Sequence, residues 1–115
     1  MSPVIELHFR GMSPSPALDA AIRGWVEQIG RVYDRIERCD VWIELPHRHH
    51  RRGGHFAVRI ALGVPGGPIV VSHEPGRRDA HADVYIAVAD AFLAARRQLT
   101  AFTQIRRDGA RVRAA

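Results

Sequence analysis

Lysine is absent: all 17 basic residues are arginine. Genome composition contributes to such a choice, but arginine is also the cation whose planar fork matches phosphate. Cysteine is nearly absent too. A single residue, Cys39, cannot close an intramolecular disulfide, so the core must be held by apolar packing, and a reducing cytoplasm is the simpler setting. No apolar run approaches the roughly 20 residues that span a bilayer. The start, Met1-Ser2-Pro3-Val4-Ile5-Glu6, lacks the basic and apolar regions of a signal peptide. A cytoplasmic protein that spans no membrane is expected. Also missing are a serine in a nucleophile-elbow context and a glycine-rich phosphate loop before a helix. Gly63-Val64-Pro65-Gly66-Gly67 has too few glycines in register and links strands instead. These absences predict no enzyme, no cofactor and no small-molecule substrate.

What is present suits one domain. The chain has 115 residues, of which 46% are hydrophobic and 25% charged, enough apolar content for a single core. The net charge of +5 is unevenly spread. Residues 1–45 hold five Arg against seven Asp or Glu, and residues 46–115 hold twelve Arg against five. The halves therefore carry −2 and +7. Such asymmetry predicts a basic patch that favours a polyanion, either nucleic acid or an anionic membrane.

Periodicity supplies the elements. Val4 to Phe9 alternates, with Ile5, Leu7 and Phe9 on one face of a strand. Ser15 as N-cap and Pro16 at the first helical position then start a helix. Leu18, Ile22, Trp25, Ile29, Val32 and Ile36 form its apolar stripe and carry it to about Arg35. Cys39 to Leu45 alternates again, with Val41, Ile43 and Leu45 facing one way and Asp40, Trp42 and Glu44 the other. A third strand has Phe56, Val58, Ile60 and Leu62 inward. Val64-Pro65-Gly66-Gly67 is a tight turn into a fourth strand, Pro68 to His73. Tyr85, Val88, Phe92, Ala95, Leu99 and Phe102 predict a second amphipathic helix from about His81 to Ile105, started by Asp79 or Asp83. The order is β-α-β-β-β-α. It predicts an α+β fold with a four-stranded mixed sheet, the first pair parallel, and both helices on one sheet face. Residues 4–105 would form the domain and 106–115 a basic, mobile tail.

Several residues invite a chemical reading. Four of the seven histidines fall in Pro46 to His55, but no Cys or carboxylate accompanies them and the interleaved arginines would repel a dication, so no metal site is predicted. That loop carries Arg48, Arg51 and Arg52 and is either a polyanion contact or a solvated hairpin connection. Arg77 and Arg78 lie in the next connection. Arg96, Arg97, Arg106 and Arg107, with Arg111 and Arg113 beyond, are relieved only by Asp108. A helix dipole accounts for one or two such cations, not six, and phosphate binding explains the surplus better. A membrane surface would want bulky apolar residues beside them, and the tail offers only Val112. Glu6, Asp40 and Glu44 could form a carboxylate pair on adjacent strands, or serve solubility on an outward face. Trp42, on that same face, either stacks on a base or packs against Arg59 as a cation–π pair.

Met12 to Leu18 opening the first helix, and Phe56 to Ile60 leading into Val64-Pro65-Gly66-Gly67-Pro68-Ile69-Val70-Val71, resemble a known family. So does Asp83-Val84-Tyr85-Ile86-Ala87-Val88-Ala89-Asp90-Ala91-Phe92 followed by Arg97-Gln98-Leu99. The family is that of the ribosome hibernation-promoting factors, also called ribosome-associated inhibitors or sigma-54 modulation proteins. The resemblance covers about residues 4–105 and is to the short type, which lacks a dimerisation domain. It implies a monomer that docks on the small ribosomal subunit, against ribosomal RNA in the channel for tRNA and messenger RNA, and silences translation. It also implies that Arg31 and Arg97 are binding residues, since both stand where the family is basic. Trp25, Gln28 and Ala94 stand at positions that are often basic in the family. Two alternatives remain: a module for a non-ribosomal RNA, or a protein-interaction regulator working through the open sheet face.

Overall fold

Strand alternation and two helical stripes produce six elements: β1 (Val4–Arg10), α1 (Pro16–Gly30), β2 (Arg38–Glu44), β3 (Ala57–Gly63), β4 (Ile69–His73) and α2 (Val84–Ala114). The computed structural model describes residues 2–45, 56–73 and 83–114; for His73 and residues 107–114 only the backbone is described. The sheet order is β1-β2-β3-β4. β1 pairs with β2 in parallel, and the two later pairs are antiparallel. This is the expected α+β fold with both helices on one face. The register makes rows across the sheet, of which His8–Trp42–Arg59–Ser72 and Arg10–Glu44–Ala57 matter below.

The inner sheet face and the helices share one core. Val41, Ile43, Ile60 and Leu62 are fully buried against Leu18, Ile22 and Ile29 of α1 and Val88, Phe92 and Leu99 of α2. Each such side chain removed from water contributes about 1.5–3 kcal/mol. Ile5, Leu7 and Phe9 of β1 pack on this core while remaining half-buried, as suits an edge strand. The outer face has no helix over it among the described residues.

Helix α1 begins as its sequence predicts. The Ser15 hydroxyl accepts from the Leu18 amide at 3.2 Å, and Pro16 follows it. It ends earlier than the stripe suggests, at Gly30 instead of about Arg35. Gly30 is a poor helix former, and the Val32 and Tyr33 amides both turn back to the Ile29 carbonyl, closing the helix. Val32 and Ile36 still reach the core from outside it. Val26 is buried where the stripe places Trp25, and Trp25 instead lies half-buried, stacked on Phe92 with centroids 5.9 Å apart.

Helix α2 starts at Asp83, whose carboxylate accepts from the Tyr85 amide at 2.8 Å. Asp79 lies outside the described residues. Tyr85 is 46% exposed, a correction to its place on the stripe, because Ala87, Val88 and Ala91 take the inner face. The helix does not stop at Ile105 but runs to Ala114. Arg, Ala and Gln favour helix strongly enough to carry it through Gly109. Its 31 residues span roughly 46 Å at 1.5 Å per residue, about twice the length of a seven-residue strand. The β3–β4 turn is of type II: Gly66 has φ +85° and the Gly67 amide donates to Val64 at 2.9 Å.

Candidate nucleic-acid interface

The described candidate arginines lie at the C-terminal cap of α1 and on α2. Arg31 follows the last turn of α1, 77% exposed and only loosely paired with Glu27 at 3.9 Å. On α2, Arg96 and Arg97 are exposed and, among the described residues, carry no ion pair. They flank Leu93, Thr100, Ala101 and Gln104 on a shallow surface, with Leu93 41% exposed. Two adjacent guanidiniums with no internal partner among the described residues present charge that an external anion can meet. Arg106 is different. Its guanidinium lies over Phe102 at 5.6 Å and beside the Gly66 turn, so part of its role is to seal the end of the core. Arg107 lies in α2, and nothing is described of its side chain. Arg48, Arg51, Arg52, Arg77 and Arg78 lie outside the described residues, as does the histidine-rich stretch.

Of the positions at which the family is often basic, Trp25 is taken by the stack on Phe92 and Ala94 packs partly against the core. Gln28 is exposed. Trp25 therefore has a packing role that a cation could not fill.

The outer sheet face carries a second cluster. Strand parity sends Glu6, His8 and Arg10 of β1, Arg38, Asp40, Trp42 and Glu44 of β2, and Ala57, Arg59 and Ala61 of β3 to this side. Arg38 forks onto Asp40 with Nε donating at 2.7 Å and Nη2 at 3.0 Å, and it reaches Glu6 at 3.6 Å. His8 Nε2 lies 3.2 Å from Asp40 Oδ1, the oxygen that also accepts from Arg38 Nη2. The Arg38 hydrogen bonds hold the Asp40 carboxyl below the usual carboxylate range, with His8 adding to the effect. The same contact raises Arg38. Glu6 and Asp40 are thus bridged by a guanidinium, not arranged as a proton-sharing pair. Glu6, His8 and Asp40 could converge on a cation, their ligand atoms lying within 4.8 Å of one another. The Arg38 guanidinium already holds both carboxylates, which argues against a metal there.

Trp42 is sandwiched. His8 stacks on one side with centroids 5.0 Å apart and planes 16° from parallel, and the Arg59 guanidinium lies on the ring at 5.2 Å. The cation–π alternative for Trp42 is therefore the one adopted. Its partner His8 was not singled out in the sequence, although the outward parity of β1 could have found it. Cys39 faces the core, where burial, and then the Asp40 charge, push its thiol up to about 12. At neutral pH it stays protonated and is no nucleophile.

The comparisons agree with this architecture. The family model described as sigma 54 modulation protein / S30EA ribosomal protein matches residues 5–107. The N-terminal domain of Thermus thermophilus Protein Y superposes with a TM-score of 0.69 at 19% identity, covering 87% of this chain and 98% of that one. A ribosomal subunit interface protein from Coxiella burnetii gives 0.67 at 18% identity, covering 86% and 98%. No curated protein matches the chain. Among the described residues, no helix is long and apolar enough to cross a membrane.

Proposed function

Because this chain belongs to the sigma 54 modulation protein / S30EA ribosomal protein family, we propose that it is a ribosome-associated translation inhibitor. It docks as a monomer on the small subunit in the cytoplasm, in the channel used by tRNA and messenger RNA, and its arginines contact ribosomal RNA phosphates. Membership of the family carries the ribosomal part of this reading. The observation that carries the mechanism is the pair Arg96 and Arg97, exposed and unpaired among the described residues on a helix that outreaches the sheet. Arg31 adds a third cation at the end of α1. The +7 balance of residues 46–115 extends the basic character into the connections that hold Arg48, Arg51, Arg52, Arg77 and Arg78, and to Arg106 and Arg107. None of the clusters described above holds an activated nucleophile, and the role is one of binding.

The test is co-sedimentation of purified protein with small ribosomal subunits at about 0.1 M and about 0.5 M salt, where phosphate contacts weaken steeply. Stoichiometric binding that is lost at the higher salt, and inhibition of translation in a reconstituted system, are the expected results. Absence of binding at the lower salt would sink the reading.

A further inference from the structure

Between the His8–Trp42–Arg59 row and the Arg10–Glu44 pair, the outer sheet face sinks into a groove of about 420 Å³. The small side chain of Ala57, directly opposite Glu44 in the register, makes the depression. This volume falls in the range of small-ligand sites, about 300–1,000 Å³. The groove lies on the side of the sheet opposite the helices, so the contacts proposed above for Arg96 and Arg97 do not use it.

Its lining combines three chemistries. Trp42 provides a large aromatic face with Arg59 laid on it. Arg10 is 82% exposed and held to Glu44 only at 4.0 Å, so its guanidinium is available. Glu44, 44% exposed, offers an acceptor at the groove's edge. A planar ring, a nearby anion and a donor edge are together the features of a nucleotide. Single-stranded RNA presents them, whereas duplex RNA keeps its bases stacked and its edges paired. Basic charge favours the same partner. Arg10 and Arg59 outnumber Glu44 here, while the carboxylates of Glu6 and Asp40 lie at the other end of the face and share Arg38.

We propose that this groove accepts an unstacked base of single-stranded RNA, which replaces Arg59 on the Trp42 ring. Released from the indole, Arg59 joins Arg10 on the flanking phosphates, and Glu44 accepts from an amino or imino group of the base. An exposed cation–π contact is weaker than base–aromatic stacking, so the exchange runs toward the bound state. His8 stays on the far side of the ring and, anchored by Asp40, keeps the indole upright. The proposal rests on the reading above only in taking RNA as the partner.

The experiment measures anisotropy of a labelled RNA hexamer with the full chain at about 0.15 M salt, against a duplex competitor. The expected result is binding of the single strand in preference to the duplex. Trp42→Ala and Ala57→Leu should each weaken it about tenfold or more, in line with the loss of one stacked base. Ala57→Leu fills the groove while leaving the Trp42 stack intact, and urea melts confirm that both variants fold. In a Trp25→Phe background Trp42 is the sole indole, and the hexamer should quench its fluorescence. Arg96→Ala with Arg97→Ala should change hexamer binding less than about threefold while weakening small-subunit binding. No hexamer binding, equal binding of duplex, or variants that bind like the parent would each overturn the proposal. So would a Trp42→Ala chain that loses the small subunit but keeps the hexamer, since the face would then meet a ribosomal protein. In these outcomes retained subunit binding by the parent chain leaves the proposed function standing.

Discussion

Replacing Arg96 and Arg97 together by alanine removes two exposed cations that have no ion pair among the described residues. The fold should hardly notice, since surface changes of this kind stay within about 0.5 kcal/mol. The ribosome should notice a great deal. If each guanidinium meets one phosphate, the slope of log K against log salt falls in magnitude by about 1.4–1.8, taking roughly 0.7–0.9 per contact. Referred to about 1 M salt, where counterion release vanishes, that slope amounts to a loss of about 25- to 60-fold at 0.1 M. At about 0.4 M the deficit shrinks to about four- to fivefold. The assay is a titration of small subunits at several salt concentrations for parent and variant, with urea melts alongside. A variant whose affinity drops by the same factor at every salt concentration would refute the phosphate assignment, because the lost contact would not be electrostatic. An unchanged slope and affinity would remove Arg96 and Arg97 from the interface altogether.

The remaining predictions concern the scaffold. Phe92→Ala should cost about 3–5 kcal/mol in a urea melt, since Phe92 is fully buried and stacked on Trp25; a cost under about 1 kcal/mol would contradict the packing. Gly24→Ala should stabilise by up to about 1 kcal/mol, because a methyl there meets open space in mid-helix. Gly66→Ala should instead destabilise by about 1–2 kcal/mol, the left-handed penalty, at φ +85°. The depressed Asp40 carboxyl makes acid stability pH-dependent. Its contribution is full above the unfolded value of about 3.9 and is lost as pH falls through the lower folded value, so Asp40→Asn should flatten that acid limb of a stability–pH curve. The Cys39 thiol, raised to about 12, should resist an alkylating reagent at pH 8 in the native chain and react once unfolded; rapid native labelling would show that the core face is open.

Most of the architecture was legible because the residues repeat cleanly. Period-two alternation located the first three strands and their inner faces, the Val64-Pro65-Gly66-Gly67 turn located the fourth, and the Ser15–Pro16 pair located the start of α1. The turn at Pro65–Gly66 was readable because only glycine sits comfortably at that φ. Helix ends were less legible, for a physical reason. Val32 and Ile36 keep helical spacing yet reach the core from a non-helical segment, so apolar spacing alone could not tell packing from helix. At the other end, the apolar stripe runs out at Phe102 and suggested a stop near Ile105, but helix propensity carries α2 on to Ala114 without it.

The site divides in the same way. Exposed arginines announce themselves by composition, and Arg96 and Arg97 lie on the surface as clustering implied. What composition could not supply was pairing across strands. The register sets His8 beside Trp42 and Trp42 beside Arg59, joining residues 17 and 34 positions apart into one stack. It also sets Glu6 beside Asp40 with Arg38 between them. Two carboxylates that looked like a candidate acid–base pair thereby become the two acceptors of one shared guanidinium. That outcome sharpens the charge argument. Arginines on the outer face are mostly spent on internal partners, with Arg10 the loosest, whereas Arg96 and Arg97 on α2 have none among the described residues. Among the described residues the uncompensated arginines, Arg96 and Arg97 of α2 and the exposed Arg35, lie off the outer sheet face, which can take part only where an internal contact is exchanged for an external one.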